Sequence, residues 1–214
     1  MFIDRADAGR QLAEKLKHYR NRGDVLVLGL PRGGVPVAYR VAQALNAELD
    51  VLVVRKLGVP FQPEVAMGAI ASGGGLSLND EVLAVAGVTS RQFEQVRAAE
   101  EKELMRREQL FRGTHAPIAI RGRTIIVVDD GLATGASMHA ALTTLRSLHP
   151  ARVVVAVPVA PADAAARLAE ACDEFVCVDP RHDFSAVGQF YRNFGQTSED
   201  EVRQLLDKAG TRTS

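Results

Sequence analysis

Tryptophan is absent from this chain, aromatic residues make up only 5% of it, and cysteine occurs twice. Two cysteines in 214 residues cannot supply a disulfide framework. The spacing of Cys172 and Cys177 matches neither a redox pair nor a zinc site, so buried free thiols are expected. Net charge is lacking as well: 26 Lys and Arg balance 26 Asp and Glu, which gives no global attraction to nucleic acid or to an anionic membrane. No apolar run approaches transmembrane length, and the N-terminus carries no signal-peptide core, so a cytoplasmic protein without membrane or nucleic-acid partners is expected. Two common phosphate signatures are also missing. Neither G-x-x-x-x-G-K-[ST] nor G-x-G-x-x-G occurs, which excludes a P-loop and a dinucleotide fingerprint.

What is present is a globular composition, 47% hydrophobic, long enough for one substantial α/β domain over 1–214. Its most specific stretch is Val127-Val128-Asp129-Asp130-Gly131-Leu132-Ala133-Thr134-Gly135-Ala136-Ser137. The apolar run 124–128 before it reads as a buried parallel strand. After it, Ala141, Leu142, Leu145 and Leu148 recur at helical spacing, predicting a helix over 137–148. A small-residue loop therefore opens a helix whose free amides and dipole suit an anion, with Thr134 and Ser137 adding hydroxyls. The adjacent carboxylates suit sugar hydroxyls or a hydrated Mg2+. Anion and diol acceptors together suggest a ribose 5-phosphate. A phospho-acceptor receiver domain also uses an acidic pair after a strand, but has no need of the Thr134-Gly135 that follows here.

Along the chain, the pattern predicts a helix over 6–22 anchored by Leu12, Leu16 and Tyr19, a strand over 25–30, a helix to about residue 45, and a strand over 49–54. A hairpin of 65–71 with 76–79 should turn at the glycine-rich 72–75. A charged helix over 90–112 follows, with Glu103/Arg107 and Glu108/Arg112 in the favourable i,i+4 order; its docking residues would be Phe93, Val96, Leu104 and Phe111. Further strands are expected over 152–158 and 174–178, and helices over 161–171 and 198–206, the last opened by a capping box at Ser198. Alternating strands and helices imply a mostly parallel sheet covered on both faces, with ligands beyond the strands' carboxyl ends.

Two further loops fit that rule. Pro31-Arg32-Gly33-Gly34 offers a cation and unhindered amides directly after a strand. Arg55-Lys56-Leu57-Gly58 places two cations at the next strand end, and 57–64 has the prolines and glycine of a loop that could close as a lid.

The acidic segment resembles the phosphoribosyl pyrophosphate (PRPP) motif of type I phosphoribosyltransferases. The whole chain is similar to bacterial phosphoribosyltransferase-like proteins with no assigned acceptor. The resemblance implies the type I fold, with a core of about 24–178, a small hood from 1–22 and 179–214, and an inserted hairpin and helix. It implies transfer of the 5-phosphoribosyl group from PRPP to a nitrogen acceptor, with Mg2+ as cofactor and pyrophosphate as product. Carried over, Asp129 and Asp130 would bind the ribose and Mg2+, directly or through water, and Gly131, Leu132, Ala133, Thr134, Gly135, Ala136 and Ser137 would wrap the 5-phosphate. Arg32, Gly33 and Gly34 would hold pyrophosphate, in a loop often strained or cis in the family. Arg55 and Lys56, with Asp129 and Asp130, would form the catalytic set. Ala133 stands where enzymes acting on 6-oxopurines carry an aspartate, which argues against a hypoxanthine-guanine enzyme. Phe184 and Tyr191 are candidate acceptor-binding rings, core packing being the competing role, and a minority reading sends Arg106 or Arg107 to a phosphate. A homodimer is an open option. The alternative function is a PRPP- or nucleotide-binding regulator with little turnover.

Overall fold

The computed structural model describes residues 1–113 and 116–210. Its centre is a five-stranded, all-parallel sheet in the order β2-β1-β6-β7-β8, made of β1 (Val25–Gly29), β2 (Glu48–Val51), β6 (Thr124–Val128), β7 (Arg152–Pro161) and β8 (Glu174–Arg181). Every residue of β1 and β6 is buried, as continuous Val/Leu/Ile runs require when both faces are covered. Alternation splits the side chains cleanly. Val25, Val27, Ile126, Val128 and Val154 join one apolar core with α1 (Arg5–Lys15), α2 (Gly34–Leu45) and α7 (Glu199–Gly210). Leu26, Leu28, Ile125, Val127 and Val155 join a second with α5 (Ala136–Arg146) and α6 (Ala164–Leu168).

Between β2 and β6 lies an inserted unit. Strands β3 (Val54–Val59), β4 (Gln62–Ala71) and β5 (Gly75–Leu78) form an antiparallel sheet, followed by α3 (Asp80–Ala86) and α4 (Ser90–Arg112). The hairpin expected around residues 72–75 is present, with Gly73 and Gly74 at φ 79 and 84 in the turn. The expected loop over 57–64 is instead a hairpin: Val59 pairs with Gln62 across Pro60-Phe61, and a bulge at Gly58 absorbs the irregularity that its prolines and glycine advertise. Helix α4 is tied to β2 of the central sheet through a buried ion pair. Arg112 Nε donates to Asp50 Oδ1 at 2.7 Å and Arg112 Nη2 to the Val51 carbonyl at 2.7 Å, while Glu108 takes Arg112 Nη1.

The two terminal segments meet at the carboxyl edge of the sheet. Phe2 donates its amide to the Phe190 carbonyl at 2.8 Å, and the amides of Arg192 and Asn193 donate to Phe2 and Ile3 at 2.9 and 3.0 Å. Phe2, Ala8, Val159, Phe190 and Tyr191 form a third apolar cluster there. The first helix is shorter than expected and ends in a turn of 3-10 helix over Lys17–Tyr19, with Leu12, Leu16 and Tyr19 buried as anchors. The last helix starts where expected, with Ser198 Oγ accepting the Glu201 amide at 3.1 Å. Residues 211–214, the end of the expected hood, lie outside the described residues.

Candidate active site at the sheet's switch point

Chain order reverses between the central strands β1 and β6, and a crevice opens where their following loops diverge. Gly29 is level with Val128, and Leu30 donates its amide to the Val128 carbonyl at 2.9 Å, so the loop 31–34 lies against Asp129 and Asp130. The Pro31–Arg32 peptide is cis. The two glycines answer to close approach: a Cβ on Gly33 would lie 2.1 Å from Asp130 Oδ2, and one on Gly34 would lie 2.6 Å from the Val128 carbonyl oxygen.

Among the described residues the cation paired with the acidic pair is Arg5. Asp129 Oδ1 accepts the Asp130 amide at 2.8 Å. Asp130 Oδ2 accepts Arg5 Nε at 2.8 Å, and the Asp130 carbonyl accepts the Tyr191 hydroxyl at 2.6 Å. Packed atoms surround both carboxyls although the crevice still admits solvent. That enclosure, followed by the Asp130 charge, raises the Asp129 pKa above the carboxylate range. Enclosure also raises Asp130, against the lowering pull of Arg5. Two carboxyls facing one guanidinium offer more acceptor oxygens than Arg5 satisfies, and hydroxyl donors, or a cation that draws the proton off Asp129, are their natural complement. Among the described residues no group of three or more His, Cys, Asp or Glu could cage a metal. A pair of carboxylates alone fits Mg2+, which keeps waters and draws its other ligands from substrate oxygens.

The loop 131–137 follows. Leu132 is buried and its amide bonds the Val159 carbonyl at 2.9 Å, while Ala133, Thr134, Ala136 and Ser137 are exposed. Gly135, at φ 81, precedes α5 with no side chain to cap it, and the first helical amide, that of Ala136, donates to Thr134 Oγ1 at 3.4 Å. Arg167, which sequence reasoning passed over, donates to the Ala133 and Thr134 carbonyls at 3.4 Å each.

Lys56 joins this loop, and Arg55 does not. Adjacent residues on a strand face opposite ways. Lys56 lines a cleft of about 680 Å3 together with Val54, Ala136, Ser137 and His139, and its Nζ donates to the Glu64 carbonyl at 3.2 Å. Arg55 faces α4, where Nε and Nη2 meet Glu100 Oε2 at 2.7 and 2.6 Å. Arg32 lines a second cavity of about 430 Å3 with Leu110, Gln196, Ser198 and Arg203. Arg106 and Arg107 are both held by Glu103, at 2.8 and 2.9 Å. Phe184 stacks at 5.2 Å on Phe190, and the Tyr191 ring is buried between Phe2 and Phe194. The aromatic rings thus build the cluster that carries the terminal segments. Arg5 was also invisible in sequence, 125 residues from its partner. Its one trace is a cation at the first position of a helix, where the dipole disfavours positive charge.

Residues 3–194 match the family profile described as the phosphoribosyl transferase domain. A Mycobacterium tuberculosis protein named "Putative phosphoribosyl transferase Rv0571c" is 51% identical over 209 residues, 98% of this chain and 47% of its own length. The chain spans about half the length of the curated relatives it matches at that level. The crystal structure of the protein TT1426 from Thermus thermophilus is similar with a TM-score of 0.85 at 42% identity, covering 97% of this chain and 98% of that one. "Bifunctional protein PyrR" of a Roseiflexus species is 28% identical over 158 residues, 71% of this chain and 67% of its own length.

Proposed function

This chain belongs to the phosphoribosyl transferase domain family, and on that premise we propose that it transfers the 5-phosphoribosyl group of PRPP to a nitrogen acceptor and releases pyrophosphate, with Mg2+ as cofactor. The observation that supports this most is the convergence of three segments at one switch point: Pro31–Gly34, the Asp129-Asp130 pair, and the small-residue loop that opens α5.

In this reading Asp129 and Asp130 accept hydrogen bonds from the ribose hydroxyls. The 5-phosphate lies on the amides of Gly135, Ala136 and Ser137, with Thr134 adding a hydroxyl. Gly33 and Gly34 let backbone amides approach the pyrophosphate, and Arg32 and Lys56 supply positive charge as the leaving group takes up the C1–O electron pair. The acceptor nitrogen forms the new bond to C1 and gives up its proton. Asp129 and Asp130 would hold Mg2+, directly or through water, and the ion would supply charge neutralisation for the leaving group. The protein's own contribution is chiefly positioning and charge, which an oxocarbenium-like transition state rewards. The acceptor is a small nitrogen-bearing molecule of nucleobase type, and the terminal segments 1–22 and 179–214 are its proposed hood.

The test is pyrophosphate release from PRPP and Mg2+ across a panel of nucleobases. Acceptor-dependent release, lost in Asp129→Asn/Asp130→Asn, supports the transferase. PRPP binding without release for any acceptor supports the second reading, a PRPP-binding regulator, which the capture of Arg55 by Glu100 favours.

A further inference from the structure

The contacts of Arg5 exceed what anchoring a helix needs. Asp4 caps α1 by accepting the Asp7 amide at 2.8 Å, so the helix start is already satisfied. Arg5 then occupies the first helical position, where the dipole opposes a cation. What it gains lies across the fold. Its Nε donates to Asp130 Oδ2 at 2.8 Å, its Nη1 donates to the Gly195 carbonyl at 2.6 Å, and its guanidinium carbon lies 4.0 Å from the Phe194 ring centre. Both members of the ion pair are largely enclosed, with side chains 13% and 14% exposed. Behind them the tail is fixed by the Tyr191 hydroxyl on the Asp130 carbonyl and by the amides of Arg192 and Asn193 on the first residues of the chain. One planar cation thus ties three things together: the start of α1, the acidic pair and the tail.

We propose that Arg5 is a positioning residue for ribose binding: its guanidinium fixes the Asp130 carboxylate in the orientation that receives the sugar hydroxyls and clamps Phe194–Gly195 beside it. This rests on the reading of Asp130 as a ribose acceptor. The geometry explains why the position requires arginine. A carboxylate free to rotate would present its lone pairs to the diol only part of the time. The bond through Nε leaves the terminal nitrogens for the tail, and the flat face of the group stacks on an aromatic ring. Lysine, a point charge, can hold Asp130 or Gly195 but has no planar fork for both.

The experiment compares wild type, Arg5→Gln, Arg5→Lys and Phe194→Leu. Titration calorimetry with PRPP, ribose 5-phosphate and pyrophosphate, all with Mg2+, is combined with hydrogen exchange at the Arg192 and Asn193 amides. Loss of a charge-assisted bond predicts that Arg5→Gln weakens PRPP and ribose 5-phosphate about tenfold or more. Pyrophosphate, which has no ribose, should stay within about twofold on the same grounds. Arg5→Lys should regain part of the ribose affinity while tail exchange stays fast. Phe194→Leu should speed exchange with a smaller loss of ribose affinity than Arg5→Gln. Equal losses for all three ligands, or unchanged ribose affinity in Arg5→Gln, would overturn the proposal. A folded wild type that binds neither ribose ligand would refute the proposed function instead. The clamp is then judged by exchange, and unchanged rates at Arg192 and Asn193 in Arg5→Gln would overturn it.

Discussion

Asp129 and Asp130 sit side by side with a single guanidinium between them and the tail, and that imbalance has a consequence in pH. Enclosure first, and the neighbouring carboxylate second, raise the Asp129 pKa above its ordinary 3.8. A carboxyl whose pKa is higher folded than unfolded keeps protons that the unfolded chain has lost. Its contribution is whole below 3.8 and declines as pH rises through the raised value. Ligand-free protein should therefore lose stability between pH 4.5 and neutrality that Asp129→Asn does not lose. Urea denaturation of the two proteins at stepped pH measures this, and parallel profiles would contradict it. The Asn Oδ1 can still accept the Asp130 amide, so the variant should fold. Gly33 gives a second prediction at this scale. A methyl group there would meet Asp130 Oδ2 at 2.1 Å, so Gly33→Ala should displace that carboxylate. PRPP affinity should fall about tenfold or more with the loss of its hydrogen bonds, as read by calorimetry.

At the scale of elements, legibility followed pattern length. The buried strands and the 23-residue helix α4 were readable because four or more apolar residues in a row, or charges at i,i+4 spacing, leave few alternatives. Helix α3 was not, since its seven residues make only about two turns, too few to show a period, although Val82, Leu83 and Ala86 pack against the core. The hairpin over β3 and β4 reads as a lid in sequence because Gly58, Pro60 and Pro63 interrupt it, and a bulge tolerates what the pattern forbids. That difference changes the expected roles of the two cations. Lys56→Ala should lower kcat or PRPP affinity about tenfold or more, because Lys56 shares its cleft with the phosphate loop. Arg55→Ala should instead cost roughly 1 kcal/mol of stability through its half-buried partner Glu100 and change PRPP affinity little. Steady-state kinetics and denaturation of the two variants separate these outcomes, and a reversed pattern would contradict the alternation argument. The buried pair of α4 is the stronger anchor. Removing Asp50 alone strands Arg112 without its main partner, and Asp50→Ala should destabilise the fold by about 3–5 kcal/mol in urea denaturation.

For the whole molecule, the two-sided core and the parallel order β2-β1-β6-β7-β8 set where a ligand must lie; the covered parallel sheet follows from continuous apolar strands alternating with helices, while the strand order comes from the fold alone. What the sequence could not carry was contact between distant segments. Arg5 reaches Asp130, Tyr191 reaches the Asp130 carbonyl, and Glu100 reaches Arg55; in each case the partners lie 45 or more residues apart, beyond any local period. Among the described residues no helix is long and apolar enough to cross a membrane. The proposed PRPP site is the crevice between β1 and β6, organised by Asp129 and Asp130. Its most direct test is titration calorimetry of the folded protein with PRPP and Mg2+, beside Asp129→Asn/Asp130→Asn. Saturable one-site binding to the wild type, lost in the double variant, is the predicted result, and PRPP at about one hundred times its Kd should then stabilise the wild type by about 2.7 kcal/mol. A folded wild type that takes up no PRPP, or a double variant that binds it equally well, would contradict the account.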